Sequence, residues 1–273
     1  MNKPQSLFLL ILLTAAQAVA AVNLVPMASK EGISRLNRSK YTADFAKLSS
    51  HYRNQTDRMS CGPVVGSIVL NALRYNTDKA PIVDIPKNFL EQMPTDDKGV
   101  KFDPRLRMYT PDNFLNEKAL SIKSLSRIYA EPVDGKRDPG ISLEEFRKIL
   151  EEAHGVTVVK VHVGTPETAS NKEGSKGLPA KEYAQILSDM KKNLSQEGNY
   201  IIANYSRKAL GQPGSGHLSP VAAYDEKSDS FLVLDVNPFG GPWAWVGAKD
   251  FIAAMNTTDS TSNRGLLFVS EKM

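Results

Sequence analysis

Cys61 is the one cysteine in 273 residues, and Gly62 follows it directly. A lone cysteine forms no internal disulfide and builds no cysteine-cluster metal site, so it is either a small buried apolar residue or a reactive thiol. Its position favours reactivity. Val64, Val65, Ile68, Val69, Ala72 and Leu73 recur at helical spacing and predict a helix over 60–74. Pro63 fits only the first turn of that helix, which places Cys61 at the N-terminus. Unpaired N–H groups and the dipole at a helix start stabilise a thiolate and lower its pKa. Gln55 stands six residues earlier. A side-chain amide at that place is a candidate donor to an oxyanion, beside the backbone N–H of Cys61.

A thiol nucleophile needs a base. The run Gly214-Ser215-Gly216-His217-Leu218-Ser219-Pro220 sets His217 after a Gly-rich loop, at the start of a strand. Asp235 ends the next strand. A hairpin that opposes 217 and 235 is centred on residue 226, inside a turn predicted at 225–229. Directly opposed residues of antiparallel strands lie about 4.5–5.5 Å apart at Cβ and share a face. The carboxylate would then fix the imidazole tautomer. Asn237 takes that place if the register centres on 227. The other three histidines are weaker candidates. His51 lies outside any regular element, His154 reads as a helix C-terminal residue that favours the dipole, and His162 reads as a structural side chain of a strand. Their scatter gives no zinc spacing, so no metal ligand is assigned.

The elements that must position these groups follow in order. Residues 21–50 read as a polar lead-in, and 76–112 as a long irregular excursion of the functional kind. Ser142 with Glu145 forms a capping box for a second helix, which Gly155 ends. A strand over 157–163, a helix over 179–194 and a strand over 199–205 come next. Strands over 218–224 and 231–236, a helix over 249–255 and a strand over 266–269 complete the chain. Helices first and antiparallel strands later predict an α+β chain, with the nucleophile helix packed against the sheet. The length and the 41% hydrophobic content support one catalytic domain over 21–273.

The N-terminus is of another kind. Lys3, an apolar run over 7–13 and Ala18-Val19-Ala20 form the pattern of a cleaved secretory leader over 1–20. Export is expected, to the periplasm in a Gram-negative source, with no membrane association after cleavage. The 34 basic and 30 acidic residues are mixed, and no basic block marks a nucleic-acid surface.

The segment Gln55-Thr56-Asp57-Arg58-Met59-Ser60-Cys61-Gly62 resembles the nucleophile region of phytochelatin synthases, the glutathione γ-glutamylcysteinyltransferases. Asn204-Tyr205-Ser206-Arg207, Gly214 to Pro220 and Phe231-Leu232-Val233-Leu234-Asp235 resemble that family's His/Asp region. Tyr109-Thr110-Pro111-Asp112-Asn113-Phe114 resembles the segment before its middle helices. Ala254-Met255-Asn256-Thr257 and Arg264-Gly265-Leu266-Leu267-Phe268-Val269-Ser270 resemble its C-terminal end. The resemblance implies a papain-like fold with Cys61 as nucleophile, His217 as general base and acid, Asp235 as orienting acid and Gln55 as oxyanion donor. It implies substrate-binding roles for Arg207 and Arg264, since an arginine fork suits the carboxylates of glutathione. The implied chemistry is a γ-glutamylcysteinyl thioester on Cys61 with release of glycine, then transfer to a second glutathione or a γ-Glu-Cys peptide, or to water. The chain stops at Met273 without the family's Cys-rich extension, which points to the short bacterial form and to hydrolysis over chain extension. No tightly bound cofactor is expected; cadmium or zinc enters as an activator that caps the substrate thiol. The oligomeric state is left open, a homodimer included. Two other readings share these residues: a general exported peptidase using the same triad, and a non-catalytic thiol or metal-binding protein.

Overall fold

The computed structural model describes residues 22–129, 135, 140–239, 243–259 and 262–272. The leader expected over 1–20 lies outside them. The helices are α1 (Lys30–Arg38), α2 (Phe45–Ser50), α3 (Cys61–Arg74), α4 (Lys87–Glu91), α5 (Pro111–Phe114), α6 (Glu117–Ile122), α7 (Leu125–Ile128), α8 (Leu143–Lys148), α9 (Ala180–Leu194) and α10 (Ala248–Met255). The strands are β1 (Val25–Pro26), β2 (Thr157–His162), β3 (Asn199–Ser206), β4 (Gly216–Asp225), β5 (Ser230–Val233), β6 (Ala244–Gly247), β7 (Thr258–Asp259), β8 (Ser262–Asn263) and β9 (Gly265–Ser270). Seven of them form one antiparallel sheet in the order β1-β6-β5-β4-β3-β9-β2, and β7 pairs with β8 apart from it. The chain is thus α+β, as its element order predicts.

Both faces of this sheet are buried, which explains why β3 reads as a continuous apolar run. Tyr200 and Ile202 point to one face and meet Val65, Ile68 and Val69 of α3 and Phe146 of α8 in one core cluster. Ile201, Ala203 and Tyr205 point to the other and join Ile186 and Met190 of α9 and Phe251 and Ile252 of α10. Period-two alternation on a strand divides its side chains in this way. The α8 start carries the expected capping box: Glu145 N–H donates to Ser142 Oγ at 3.3 Å, and Ser142 N–H donates to Glu145 Oε2 at 2.8 Å. The helix continues through a π-turn over Ile149–Ala153, and Gly155 follows with φ +65°.

Two expectations are corrected. The lead-in is not structureless, since α1 and α2 lie within it. Ser29 caps α1 by accepting from Gly32 N–H at 3.0 Å. The helix is held by charge more than by apolar burial: Arg38 reaches Asp225 at the end of β4 at 2.7 Å. Edge strand β6 also lacks a sequence signal, being four residues long. No helix among the described residues is long and apolar enough to cross a membrane.

The packing of α3 depends on a missing side chain. A Cβ on Gly66 would lie 2.2 Å from Phe114 Cε2, and Phe114 is fully buried. Helix propensity alone favours alanine at such a site by about 1 kcal/mol. Overpacking of a closed core costs about 1–3 kcal/mol, so it wins. Gly66→Ala is therefore expected to lower the midpoint of denaturant unfolding. A raised midpoint would show that Phe114 moves aside.

Candidate active site

Cys61 is the first residue of α3 and is part-buried. No side chain caps this helix. Asp57 instead accepts from the N–H groups of Met59 at 2.7 Å and Ser60 at 2.9 Å, one turn short of the helix proper. The N–H groups at the start of α3 thereby remain available to an anion, and the Gly62 N–H is directed to the Cys61 sulfur.

His217 stands at the second position of β4, opposite Tyr205 of β3. The Tyr205 ring packs edge-on against the imidazole with centroids 5.8 Å apart, which limits its rotation. His217 Nε2 meets Asp235 Oδ1 at 2.8 Å, so its other ring nitrogen is the one left for Cys61. The strand register differs from a hairpin centred on 226. Val221 pairs with Val233, and a bulge between Val221 and Ala223 shifts the pairs beyond it. Leu234 N–H donates to Pro220 O at 3.0 Å, which continues the same register past β5. Asp235 then falls opposite Ser219, and Asn237 opposite His217. The contact that forms is the diagonal one, from Asp235 to His217. Asn237 contributes its backbone, donating N–H to Asp235 Oδ1 at 2.9 Å, while its side chain accepts from Phe239 N–H.

Arg207 occupies a place that the sequence did not indicate. Its guanidinium is 2% exposed and lies behind the carboxylate, with Nη1 at 2.5 Å from Asp235 Oδ2. Its Nε donates to Pro213 O at 2.8 Å. It is therefore not among the residues lining the cleft, and its expected contact with substrate is replaced by a grip on Asp235. Asp235 and His217 are only 4% and 5% exposed, so the three form a buried charged row.

The electrostatics favour an ion pair at the sulfur. Burial opposes the Cys61 thiolate, but the bond and charge of His217, with the N–H groups of Leu218 and Gly62, outweigh it and hold the thiol below its ordinary value. Burial likewise opposes the His217 imidazolium; the bonds and charges of Asp235 and Cys61 outweigh it and raise the group to about 9. Asp235 is held low against its own burial by His217, the Asn237 N–H and the Arg207 charge.

Beside Cys61 and His217 opens a cleft of about 270 Å³, lined also by Arg58, Met59, Ile141, Ser142, Asn204, Asp259 and Arg264. Arg264 is brought there by Gly216, where a Cβ would lie 2.9 Å from its Nη2. It donates to Thr257 Oγ1, Thr258 O and Asp259 Oδ1. Its Nε has no partner, and neither has Asn204 Oδ1. An unpaired donor and an unpaired acceptor thus belong to one cleft. Arg58, Asn204 and Asp259 come from separate segments, and spacing carries no signal for their convergence.

The remaining candidates are placed as follows. Gln55 is buried outside the cleft lining, and its amide donates to Asp57 O at 2.6 Å. Its backbone N–H is bonded to Val236 O at 2.8 Å, next to Asp235. His154 is buried against Phe114, and burial lowers it to about 4, so it carries no charge toward the helix dipole. His162 Nδ1 meets Asn263 O, a structural contact. His51 packs on Tyr75. Among the described residues, no group of three or more His, Cys, Asp or Glu side chains is arranged to hold a metal ion.

The chain was compared with known proteins. A family model described as phytochelatin synthase matches residues 16–266. The chain is 25% identical over 232 residues to glutathione gamma-glutamylcysteinyltransferase 1 of Arabidopsis thaliana, covering 83% of this chain and 37% of that protein. It is 26% identical over 228 residues to glutathione gamma-glutamylcysteinyltransferase 1 of Lotus japonicus, covering 83% and 36%. It is 27% identical over 125 residues to the glutathione gamma-glutamylcysteinyltransferase of Schizosaccharomyces pombe, covering 46% and 26%. The chain thus spans less than two fifths of the length of these relatives. With the match to the family model running over most of its length, the chain belongs to the phytochelatin synthase family.

Proposed function

We propose that this protein is a papain-like acyltransferase that cleaves the Cys–Gly bond of glutathione through a thioester on Cys61. The observation that carries this reading is the row Cys61, His217, Asp235 at the edge of a small polar cleft. The Cys61 thiolate attacks the Cys–Gly carbonyl. The Cys61 N–H and the Gln55 amide, which has a second N–H beyond the one given to Asp57, are the oxyanion donors. The His217 imidazolium gives its proton to the departing glycine amine. The γ-glutamylcysteinyl group then passes to the amine of a second glutathione or γ-Glu-Cys peptide, giving phytochelatin, or to water.

The cleft chemistry supports this substrate. The γ-glutamyl end of glutathione carries an α-carboxylate and an α-ammonium on one carbon. Arg264 Nε is an unpaired donor for the first; Asn204 Oδ1 and Asp259 are acceptors for the second. Cadmium or zinc enters as part of the substrate, as the metal thiolate of glutathione. Export by the N-terminal leader puts the reaction outside the cytoplasm.

Mass spectrometry of the purified protein mixed with glutathione, with and without cadmium, tests the reading. A γ-glutamylcysteinyl adduct on Cys61 with free glycine is expected, and neither from Cys61→Ala. Glycine release by Cys61→Ala at the wild-type rate would sink it.

The pH dependence has a defined sign. The reactive ion pair needs Cys61 ionised and His217 protonated. It is lost as pH falls through the lowered thiol value and as pH rises through about 9. A bell-shaped profile of kcat/KM is expected with its basic limb near 9, and Asp235→Asn is expected to move that limb to lower pH. Arg264→Gln is expected to raise KM for glutathione by about 10- to 100-fold with a smaller change in kcat, the range for a hydrogen bond to a charged group. Steady-state kinetics separate the two constants.

A further inference from the structure

Residues 81–108 leave the body of the protein as an arm. Its two limbs are tied by bridges at Ile82 with Arg107 and Thr95 with Lys101. Val83 N–H donates to Leu106 O, and Phe102 N–H to Pro94 O, both at 2.9 Å. The backbone is thus pinned, yet no residue of 81–108 is buried. Helix α4, within the arm, buries nothing. Phe89, Val100 and Phe102 are 58%, 62% and 60% exposed, and Ile82 and Leu106 are exposed with them. Ordering a segment costs conformational entropy that apolar burial normally offsets. This arm has the apolar side chains and lacks the cover.

The arm is not a lid. Its base is fixed by Asn76 N–H to Arg107 O and by the paired bonds of Asn71 and Tyr109, at the C-terminal end of α3. Cys61 is at the other end of that helix, about 20 Å away at 1.5 Å per residue. No residue of the arm lines the cleft.

Its charges indicate the cover. Asp84, Glu91, Asp96, Asp97 and Asp103 are interspersed with Lys87, Lys98, Lys101, Arg105 and Arg107, in equal number. An anionic membrane or a nucleic acid selects an excess of Lys and Arg, which is absent here. A two-fold contact needs one patch that complements itself. Mixed signs around exposed aromatic and aliphatic side chains meet that condition. The arm's length also falls within the about 20–30 residues a side of a stable interface.

We propose that the 81–108 arm is the surface through which two copies of this chain associate about a two-fold axis, with Phe89, Val100 and Phe102 at its centre. Sedimentation velocity across a wide concentration range is expected to find a dimer for the wild type and a monomer for Phe89→Asp/Phe102→Asp. Circular dichroism should be unchanged, since neither side chain is buried. Lys98→Glu/Lys101→Glu keeps every apolar side chain and is expected to dissociate about tenfold or more readily, through like-charge repulsion. A wild type that is monomeric throughout, or a dimer that survives both variants, overturns the proposal. So does flotation of the wild type with phosphatidylglycerol vesicles that the aromatic variant loses, which would assign the arm to a membrane surface.

Discussion

The Asp235 carboxylate is the point on which this site turns. It is buried, and every contact it makes is charged or polar. Oδ1 takes His217 Nε2 and the Asn237 N–H, and Oδ2 takes Arg207. A buried ion pair is seldom worth much against an apolar substitute, but removing one partner costs about 3–5 kcal/mol because the other is left uncompensated. Here the charges form a row of alternating sign: Arg207, Asp235, His217 and the Cys61 thiolate. The row sums to zero only when the thiolate is present. Arg207 cancels Asp235 from behind, so the imidazolium finds its counter-charge in the sulfur. The lowered thiol and the raised imidazole are two readings of this one balance.

The balance requires α3 and the β4–β5 hairpin to meet with little play, and the chain before α3 sees to this. Tyr52 Oη donates to Asp235 O at 2.7 Å, and Gln55 N–H to Val236 O at 2.8 Å. The segment that delivers the nucleophile is thus laid on the backbone that carries the acid. Further out, Arg38 of α1 binds Asp225 at the far end of β4. The N-terminal residues therefore act as a strap across the hairpin and link two elements far apart in sequence.

Much of this was legible in the residues, and the failures have physical causes. Helix α3, helix α9 and the strands that carry His217 and Asp235 declare themselves by period, because each buries apolar side chains. The triad residues declare themselves by type and by the turn between them. The register does not, since a bulge at Val221/Ala223 moves every later pair and leaves no mark in composition. The contact to Asp235 survived only because diagonal neighbours on one face stay within reach of long side chains. Helix α1 was missed because it buries a single glycine and is held by Arg35 and Arg38, so it has no apolar stripe to read. Arg207 was taken for a substrate ligand because an arginine's partner 28 positions away cannot be seen in sequence. The cleft residues Arg58, Asn204 and Asp259 converge only through tertiary structure.

The same charge row bears on what happens after acylation. Forming the thioester consumes the thiolate, and the sulfur no longer offers His217 a negative charge. Two of the causes that raise His217 therefore vanish, while those from Asp235 remain. Having given its proton to the departing glycine, the imidazole is neutral, and its proton affinity is lower than in the free enzyme. That state suits a general base near neutral pH, facing an incoming amine or water. Asp235 and Arg207 do not move in this cycle; they keep the ring oriented while its charge changes. Which acceptor wins is then decided at the mouth of the cleft, where Arg58 and Arg264 present positive charge. A second glutathione, with its two carboxylates, is drawn there in a way that water is not. A γ-glutamyl peptide is held to the extent that those arginines remain free of the first substrate.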